Sequence, residues 1–320
     1  MKLLLQYFSI LIFTIILSGC TFLNDIKEVK NDILGSINYT KDHNANEQQI
    51  QKQYLSYIDN FSNDKIVSFS YKKFDPSLGK TGLWIPMKFI EEVGGGVYFI
   101  DSFDPKKIPV FFIHGAGGNP REWISIAKSL PNEYQVVVVS YPSGMRLGIS
   151  ARVIYEAISH LIQKYEYKEF SIIAHSMGGL VSKKIIDNMS MAEREKIKRF
   201  ITISTPWGGD ELASRSANLS YTLPYWIDMQ PNSVFLKEIY YRKLPESLKH
   251  YLFFGFKGEI TLTKGISNDG VVTINSQLHP VMQNNASKVL GFNETHTSIL
   301  KSQEVISKIL ELQKGSDKDL

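Results

Sequence analysis

Cysteine is nearly absent from the sequence, and the charges of the two signs almost cancel. The 320 residues include one Cys, so the chain cannot form an internal disulfide and its folded part relies on its core. The formal net charge of +4 is small for this length and argues against nucleic-acid binding. No spacing of Cys and His is typical of a zinc site, and we expect neither a metal nor a cofactor.

The single Cys ends an apolar N-terminal segment. Met1-Lys2 gives a short positive start, residues 3–17 are almost wholly apolar, and Leu17-Ser18-Gly19-Cys20 closes the segment. These features are typical of an export signal. The apolar run is shorter than the about 20 residues that span a bilayer, and an uncleaved anchor helix is the alternative interpretation.

Leu17-Ser18-Gly19-Cys20 resembles the lipobox of bacterial lipoproteins. The resemblance implies that residues 1–19 are a signal peptide and that Cys20 is lipidated as the mature N-terminus. Several acyl chains together anchor a protein stably where one chain is marginal. We therefore expect a lipid-anchored protein of the cell envelope. Thr21, rather than an acidic residue, indicates the outer membrane if the cell has one.

Short apolar runs alternate with segments of helical periodicity from residue 66 onward. The expected strands are 66–74, 83–90, 97–101, 110–113, 135–140, 170–174, 200–204, 250–256 and 288–292. The expected helices are 123–130, 149–165, 177–189 and 303–312. This alternation implies right-handed crossovers and a mostly parallel sheet with helices on both faces. We expect one α/β domain over residues 66–320, after a polar tether over 20–65.

The alternation stops between about residues 210 and 248. This stretch is rich in aromatic residues without a clear strand pattern. It predicts a cap or lid over the carboxyl edge of the sheet, and a helix pair packed on the core is the alternative.

Ser176 lies between a predicted strand and a predicted helix, in Ala174-His175-Ser176-Met177-Gly178-Gly179. The segment resembles the G-x-S-x-G turn of α/β-hydrolases, which projects a nucleophilic serine from the edge of a sheet. Ala174 stands where the motif has its first Gly, and some bacterial lipases also have Ala at this position. A serine in an ordinary strand-to-helix turn is the alternative.

A serine hydroxyl needs an imidazole to accept its proton. Three histidines follow Ser176, and the chain order of α/β-hydrolases is serine, acid, histidine. His250 begins a predicted strand, and His279 precedes the last strand. His296 follows that last strand, where the catalytic loop belongs, and we predict it as the base.

Asp269 is the predicted acid that orients His296. It lies in Asn268-Asp269-Gly270, after the strand that ends near residue 256. The alternative is a turn aspartate, since Asp-Gly favours tight turns. Asp228 and Glu259 are the reserve candidates.

His114-Gly115-Ala116-Gly117-Gly118 follows a buried predicted strand and resembles the oxyanion loop of lipases. The resemblance implies that the backbone amides of Ala116 and Met177 bind the developing oxyanion. His114 precedes Ser176 in the chain and is predicted to fix the loop. A phosphate-binding loop is disfavoured, because no G-x-G-x-x-G or Walker lysine follows.

These motifs together resemble bacterial lipases and inositol-deacylase-like hydrolases across roughly residues 80–312. Two further segments fit that resemblance, Ser204-Thr205-Pro206-Trp207-Gly208-Gly209 and the stretch 229–236. It implies an α/β-hydrolase fold and hydrolysis of acyl esters or lipids. Some relatives bind Ca²⁺ through an Asp two positions after the catalytic His. Position 298 is Ser here, so no calcium site is carried over.

Two other functions remain open from the sequence. An acyltransferase or thioesterase uses the same serine, acid and histidine, and a lipoprotein can bind ligands on a hydrolase fold without turnover. The motifs do not define the acyl chain, the head group or the oligomeric state.

Overall fold

The structure is a computed structural model that describes residue 57 and residues 61–216, 223–258 and 267–314. These residues all fall in one compact unit of the chain, which runs from residue 46 to residue 320. The predicted signal peptide, Cys20, the tether up to residue 56 and the reserve acid Glu259 lie outside the described residues.

Eight strands of the described residues form one sheet. They are β1 Ser62–Val67, β2 Gly96–Ile100, β3 Ile108–Ile113, β4 Tyr134–Ser140, β5 Phe170–His175, β6 Ile197–Ile203, β7 Lys249–Gly255 and β8 Lys288–Phe292. Their order across the sheet is β1-β2-β4-β3-β5-β6-β7-β8. Every neighbouring pair in this sheet is parallel except β2 and β4. The predicted mostly parallel sheet is confirmed.

Twelve α-helices lie in the described part of the chain. They are α1 Pro76–Trp84, α2 Pro86–Glu92, α3 Ile124–Ser129, α4 Leu147–Lys164, α5 Met177–Asn188, α6 Met191–Arg194, α7 Glu211–Ser216, α8 Pro224–Met229, α9 Val234–Tyr241, α10 Ile274–Gln277, α11 Pro280–Asn284 and α12 Gln303–Gln313.

The side chains of β3 alternate between two core layers. Phe111 and Ile113 pack in the layer that contains α4 and α5, whereas Val110 and Phe112 pack in the layer that contains α3 and α12. Successive side chains of a strand point to opposite faces. Because helices cover both faces, β3 is a continuous apolar run, as expected of a parallel strand buried on both sides.

The direction in which the chain crosses the sheet reverses at β3. β4 lies on one side of β3 and β5 on the other, and Ile113 of β3 is paired with Ala174 of β5. The loops that follow β3 and β5 therefore leave the sheet side by side. In open α/β sheets, ligands bind at the carboxyl ends of the strands where the strand order reverses in this way.

The prediction of a strand over 83–90 is wrong, because these residues belong to α1 and α2. Pro76 and Pro86 occupy the first positions of the two helices, where proline fits best. Asp75 caps α1 by accepting a hydrogen bond from the amide of Ser77 at 3.0 Å.

The prediction of a strand over 66–74 is wrong beyond Val67. Residues 72–74 form a 3₁₀ turn, and β1 begins at Ser62, ahead of the predicted domain boundary. Tyr57 is also fully buried, in a cluster with Ile90, Met145 and Val153. The folded part of the chain therefore starts earlier than the composition of the sequence indicates.

β1 is an edge strand with a local irregularity. Its pairing register with β2 shifts between Ser62 and Lys65, and Asp64 between them has a positive φ of 66°. Asp64 forms an ion pair with Lys164 of α4. Asn63, Lys65 and Ile66 are exposed.

Helices α7, α8 and α9 occupy the region between β6 and β7 that is predicted as a cap. The buried side chains of α8 and α9, among them Met229, Phe235 and Leu236, belong to the core layer of α4 and α5. Their role as a lid stays a prediction.

A buried ion pair joins α5 to the chain that follows α9. Lys183 Nζ lies 2.7 and 2.8 Å from the two carboxylate oxygens of Asp187, and it donates to the carbonyl of Arg242 at 2.7 Å. Both side chains are buried. Removing one partner of such a pair leaves the other charge uncompensated in the interior.

Asp187→Leu is expected to lower the free energy of unfolding by about 3–5 kcal/mol, because it leaves Lys183 without its counter-charge. The double variant Lys183→Met/Asp187→Leu removes both charges and is expected to be less destabilised than Asp187→Leu. Urea denaturation measures the free energy of unfolding of both variants. Glu156→Gln, which breaks the exposed ion pair between Glu156 and Arg152, is the control. A double variant at least as unstable as Asp187→Leu would contradict the ion-pair argument.

Candidate active site

Ser176 occupies a strained turn between β5 and α5. Its φ of 53° and ψ of −133° lie outside the regions that L-residues favour, at a cost on the order of 1–3 kcal/mol. The turn is held by the Ser176 amide, which donates to the carbonyl of Ile203 at 2.8 Å, and by the Gly179 amide, which donates to the carbonyl of Ser176 at 3.0 Å. This is the geometry of a nucleophile elbow.

Two glycines allow the elbow to approach the loop after β3. A Cβ at Gly115 would lie 2.7 Å from Ser176 Cβ, and a Cβ at Gly178 would lie 2.4 Å from the carbonyl oxygen of Ile113. Either contact is too short for a side chain. Ala174, which departs from the motif, lies inside β5 and is fully buried in the core layer of α4 and α5, which accommodates its methyl group.

The backbone amides of the loop after β3 are only partly hydrogen-bonded. The Gly118 amide donates to the carbonyl of Gly115 at 3.1 Å, and the Gly117 amide donates to Ser143 Oγ at 2.9 Å. Among the described residues, the Ala116 amide has no hydrogen-bond acceptor. The Met177 amide, at the first position of α5, has no acceptor within the helix.

His114 fixes this loop, as predicted from its position. Its ring stacks on Tyr141 with the centroids 4.3 Å apart, and its Nδ1 lies 2.9 Å from the carbonyl oxygen of Gly115. The Tyr141 hydroxyl donates to the carbonyl of His114 at 2.7 Å. Both side chains of this contact are buried.

Asp269 is fully buried, and both of its carboxylate oxygens are hydrogen-bonded. Oδ1 accepts from the amides of Val271 and Val272 at 2.9 and 2.7 Å. Oδ2 lies 2.7 Å from His296 Nδ1. Asp269 therefore makes the contacts of a turn aspartate and also pairs with the predicted base.

His296 is held by three hydrogen bonds that leave one of its polar atoms free. Its amide donates to the carbonyl of Asp269 at 2.8 Å, its Nδ1 contacts the Asp269 carboxylate, and its carbonyl lies 2.8 Å from His175 Nε2. Nε2 has no hydrogen-bond partner in the described part of the chain, and no hydrogen bond joins it to Ser176 Oγ there. Ser176 directly follows His175, whose ring centroid lies 4.7 Å from that of His296.

The surroundings favour a neutral imidazole beside an ionised carboxylate. Burial lowers the pKa of His296 below the ordinary 6.5, and the opposing charge and hydrogen bond of Asp269 offset this only in part. Burial would raise the pKa of Asp269, but the His296 charge and hydrogen bond and the two backbone amides together lower it.

The other residues considered from the sequence, His250, His279 and Asp228, make structural contacts. His250 is fully buried, stacks on Phe200 and lies 3.0 Å from Thr202 Oγ1. His279 stacks on Tyr240. Asp228 accepts hydrogen bonds from the Arg146 guanidinium and from the Leu147 amide at 2.7 Å, so its carboxylate caps α4.

Three supporting residues were not predicted from the sequence. Ser143 holds the Gly117 amide, and Gln277 bonds both the amide and the carbonyl of Gly255 at the end of β7. His175 was part of the nucleophile motif but had no assigned role. Ser143 and Gln277 belong to no sequence motif, because each acts through a contact with a residue that is distant in the chain.

Neither a metal cluster nor a membrane span is found in the part of the chain that the structure describes. No group of three or more His, Cys, Asp or Glu side chains in that part could hold a metal ion. No helix among residues 57, 61–216, 223–258 and 267–314 is long and apolar enough to cross a membrane.

The mostly parallel sheet with its elbow after β5 is the α/β-hydrolase fold, and solved structures share it. The mature lipase BlEst2 of Bacillus licheniformis is 19% identical with a TM-score of 0.52, over 66% of this chain and 94% of that chain. The product of gene lin2722 of Listeria innocua is 15% identical with a TM-score of 0.51, over 67% and 96%. Lipase B of Aspergillus fumigatus is 13% identical with a TM-score of 0.50, over 67% and 55%. At these identities the likeness concerns the fold.

The family model described as "Putative serine esterase (DUF676)" matches residues 104–238. The matched part contains the loop after β3 and the elbow at Ser176, and it ends before Asp269 and His296. No curated protein sequence matches the chain.

The pKa of His296 is expected to depend on Asp269. Asp269→Asn removes the charge that raises this pKa, so the midpoint, already below 6.5 in the wild type, should fall further. A ¹³C or ¹⁵N NMR titration of the His296 imidazole measures both midpoints. Asp101→Asn, at an exposed aspartate, is the matched control, and an unchanged midpoint in Asp269→Asn would refute the pairing.

Proposed function

We propose that the protein is a serine ester hydrolase in which Ser176 is the nucleophile, His296 the general base and Asp269 the acid that orients it. The amides of Ala116 and Met177 form the oxyanion hole. The family match to serine esterases over residues 104–238 supports the class of reaction. Ala116, Ser176, Asp269 and His296 follow β3, β5, β7 and β8 in that order, and Met177 is the first residue of α5.

The arrangement around His296 carries this proposal. Every polar group of His296 except Nε2 is hydrogen-bonded, and the Asp269 contact at Nδ1 leaves Nε2 as the nitrogen that can accept a proton. The ionised carboxylate at Nδ1 distinguishes His296 from His250 and His279, which stack on aromatic rings. Catalytic hydrogen bonds are often long before substrate binds, so a missing Ser176–His296 bond agrees with this role.

The reaction follows from these positions. His296 Nε2 takes the proton of Ser176 Oγ as Oγ attacks the ester carbonyl, and the two amides stabilise the oxyanion. The intermediate collapses to an acyl-enzyme, and the departing alcohol takes the proton from His296. Water then attacks the acyl group as His296 takes its proton, and His296 returns that proton to Ser176 Oγ as the carboxylic acid leaves.

We further propose an apolar acyl group as the substrate's acid part. Val271, two residues after Asp269, and Phe256, just beyond β7, are both substantially exposed. Large exposed apolar side chains near a site favour contact with an apolar ligand. Hydrolysis of short soluble esters without activity on longer acyl chains would contradict this part of the proposal.

Ser176→Ala and His296→Ala are each expected to lower kcat for ester hydrolysis by about 10⁴-fold or more, because triad members act as a unit. A fluorophosphonate probe should label the wild type and neither variant. Ser129→Ala, an exposed serine of α3, is the matched control and should be labelled at the wild-type rate.

Equal labelling of Ser176→Ala and the wild type would overturn the assignment of the nucleophile. Labelling of Ser176 together with transfer of the acyl group to an added alcohol, in preference to water, would favour an acyltransferase. A folded wild type that neither reacts with the probe nor cleaves esters would favour the binding lipoprotein.

Membrane anchoring through Cys20 is a separate proposal that rests on Leu17-Ser18-Gly19-Cys20. When the chain is expressed in a bacterial host with an alkyne-labelled palmitate, the wild type should incorporate label and enter the detergent phase of a phase partition. Cys20→Ser should do neither, because it lacks the acceptor thiol. Labelling of Cys20→Ser would show that the anchor lies elsewhere.

A further inference from the structure

A second imidazole, that of His175, contacts His296. His175 is buried at the end of β5, and its Nε2 lies 2.8 Å from the carbonyl oxygen of His296. A carbonyl oxygen only accepts hydrogen bonds, so Nε2 of His175 carries a proton and donates it. This bond joins the residue before the nucleophile to the backbone of the proposed base.

A carboxylate faces the other nitrogen of His175. Glu122 Oε1 lies 3.5 Å from His175 Nδ1, and it is buried with no hydrogen-bond partner among the described residues. Glu122 belongs to the 3₁₀ turn that follows the loop after β3. A Cβ at Gly118 would lie 2.5 Å from Glu122 Oε2, so the carboxylate packs directly against that loop.

The hydrogen bonds of His296 connect it to two different parts of the site. Its amide and its Nδ1 both bond Asp269, which fixes the base relative to the acid. Its carbonyl bonds His175, which fixes the base relative to the nucleophile. In the part of the chain that the structure describes, His175 supplies the one hydrogen bond between the His296 backbone and the elbow.

We propose that His175 is a positioning residue that sets the distance between His296 and Ser176, and that the Glu122 side chain, which packs against the loop after β3 and beside His175 Nδ1, keeps the His175 ring in the orientation this requires. The inference rests on the proposed ester hydrolysis and assigns no proton transfer to His175. A displacement of about 1 Å in a catalytic group can lower a rate 100-fold, so one backbone contact is sufficient for such an effect.

The test compares substitutions that keep or remove the donor at His175. The amide of Gln places an N–H near the position of His Nε2, so His175→Gln should stay within about threefold of the wild-type kcat. His175→Leu fills the space without a donor and should lower kcat about 10- to 100-fold with KM within about twofold. His160→Leu, at an exposed histidine of α4, is the matched control.

A parallel pair at Glu122 tests the second contact. Glu122→Gln keeps the shape of the side chain that packs beside His175 Nδ1 and should stay near the wild-type kcat, whereas Glu122→Leu should lower kcat by about threefold or more. If Glu122 acts through His175, the double variant His175→Leu/Glu122→Leu should be no slower than His175→Leu. Active sites are counted with the fluorophosphonate, so that kcat refers to folded enzyme.

The outcomes separate this inference from the proposed function. Wild-type kcat in His175→Leu, or equal loss in His175→Gln and His175→Leu, overturns the positioning role while Ser176-dependent turnover of the wild type stands. If the wild type shows no Ser176-dependent turnover, both proposals fail. If His175→Leu does not fold, the comparison of Glu122→Gln with Glu122→Leu tests the inference instead. A wild-type kcat in Glu122→Leu then overturns it.

Discussion

The approach of the main chain at Ser176 to the loop after β3 determines the geometry of the site. At Gly115 and Gly178 the two segments come so close that a Cβ would overlap a neighbouring atom. Ala116 and Met177, whose amides we propose as the oxyanion hole, each neighbour one of these close approaches in the chain. Two adjacent parallel strands, β3 and β5, bring these backbones to the same edge. The proposed oxyanion hole thus depends on backbone packing rather than on particular side chains.

The proposed acid and base come from the other half of the sheet and need polar interactions to hold them in place. Asp269 and Gln277 are buried with their polar atoms directed at backbone groups at the end of β7 and in the loop that follows it. A buried polar group is costly unless it is paired, so a fully paired set permits few alternative loop conformations. The cost of burying these groups is offset by hydrogen bonds that also fix His296.

The sequence predicts the strands that are buried on both faces, because their apolar runs are continuous, and β3, β4 and β5 all lie where they are expected. It also predicts the contact between Asp269 and His296, since chain order limits the choice of acid and base. The segment 83–90 is misread, because a short apolar run is compatible with a strand or a helix. Gly79 and Gly82 also disfavour a helix in α1, yet α1 forms, and at Gly79 the helix packs closely on the carbonyls of Gly117 and Gly118.

Contacts between distant segments follow no local pattern, which is why His175 and Ser143 received no role from the sequence. The hydrogen bond from His175 spans 121 positions, and that from the Gly117 amide to Ser143 spans 26. Neither partner has a spacing that distinguishes it from an ordinary buried polar residue. Such residues are recognised only when the fold brings their partners within reach.

The irregular edge strand β1 has a consequence for how the protein behaves at high concentration. An exposed strand edge offers unpaired backbone groups to another molecule and is a site of aggregation. The register shift at Asp64, its left-handed backbone and the exposed Lys65 together prevent a second flat strand from docking there. The sheet therefore ends on this side in a surface that disfavours intermolecular β-pairing.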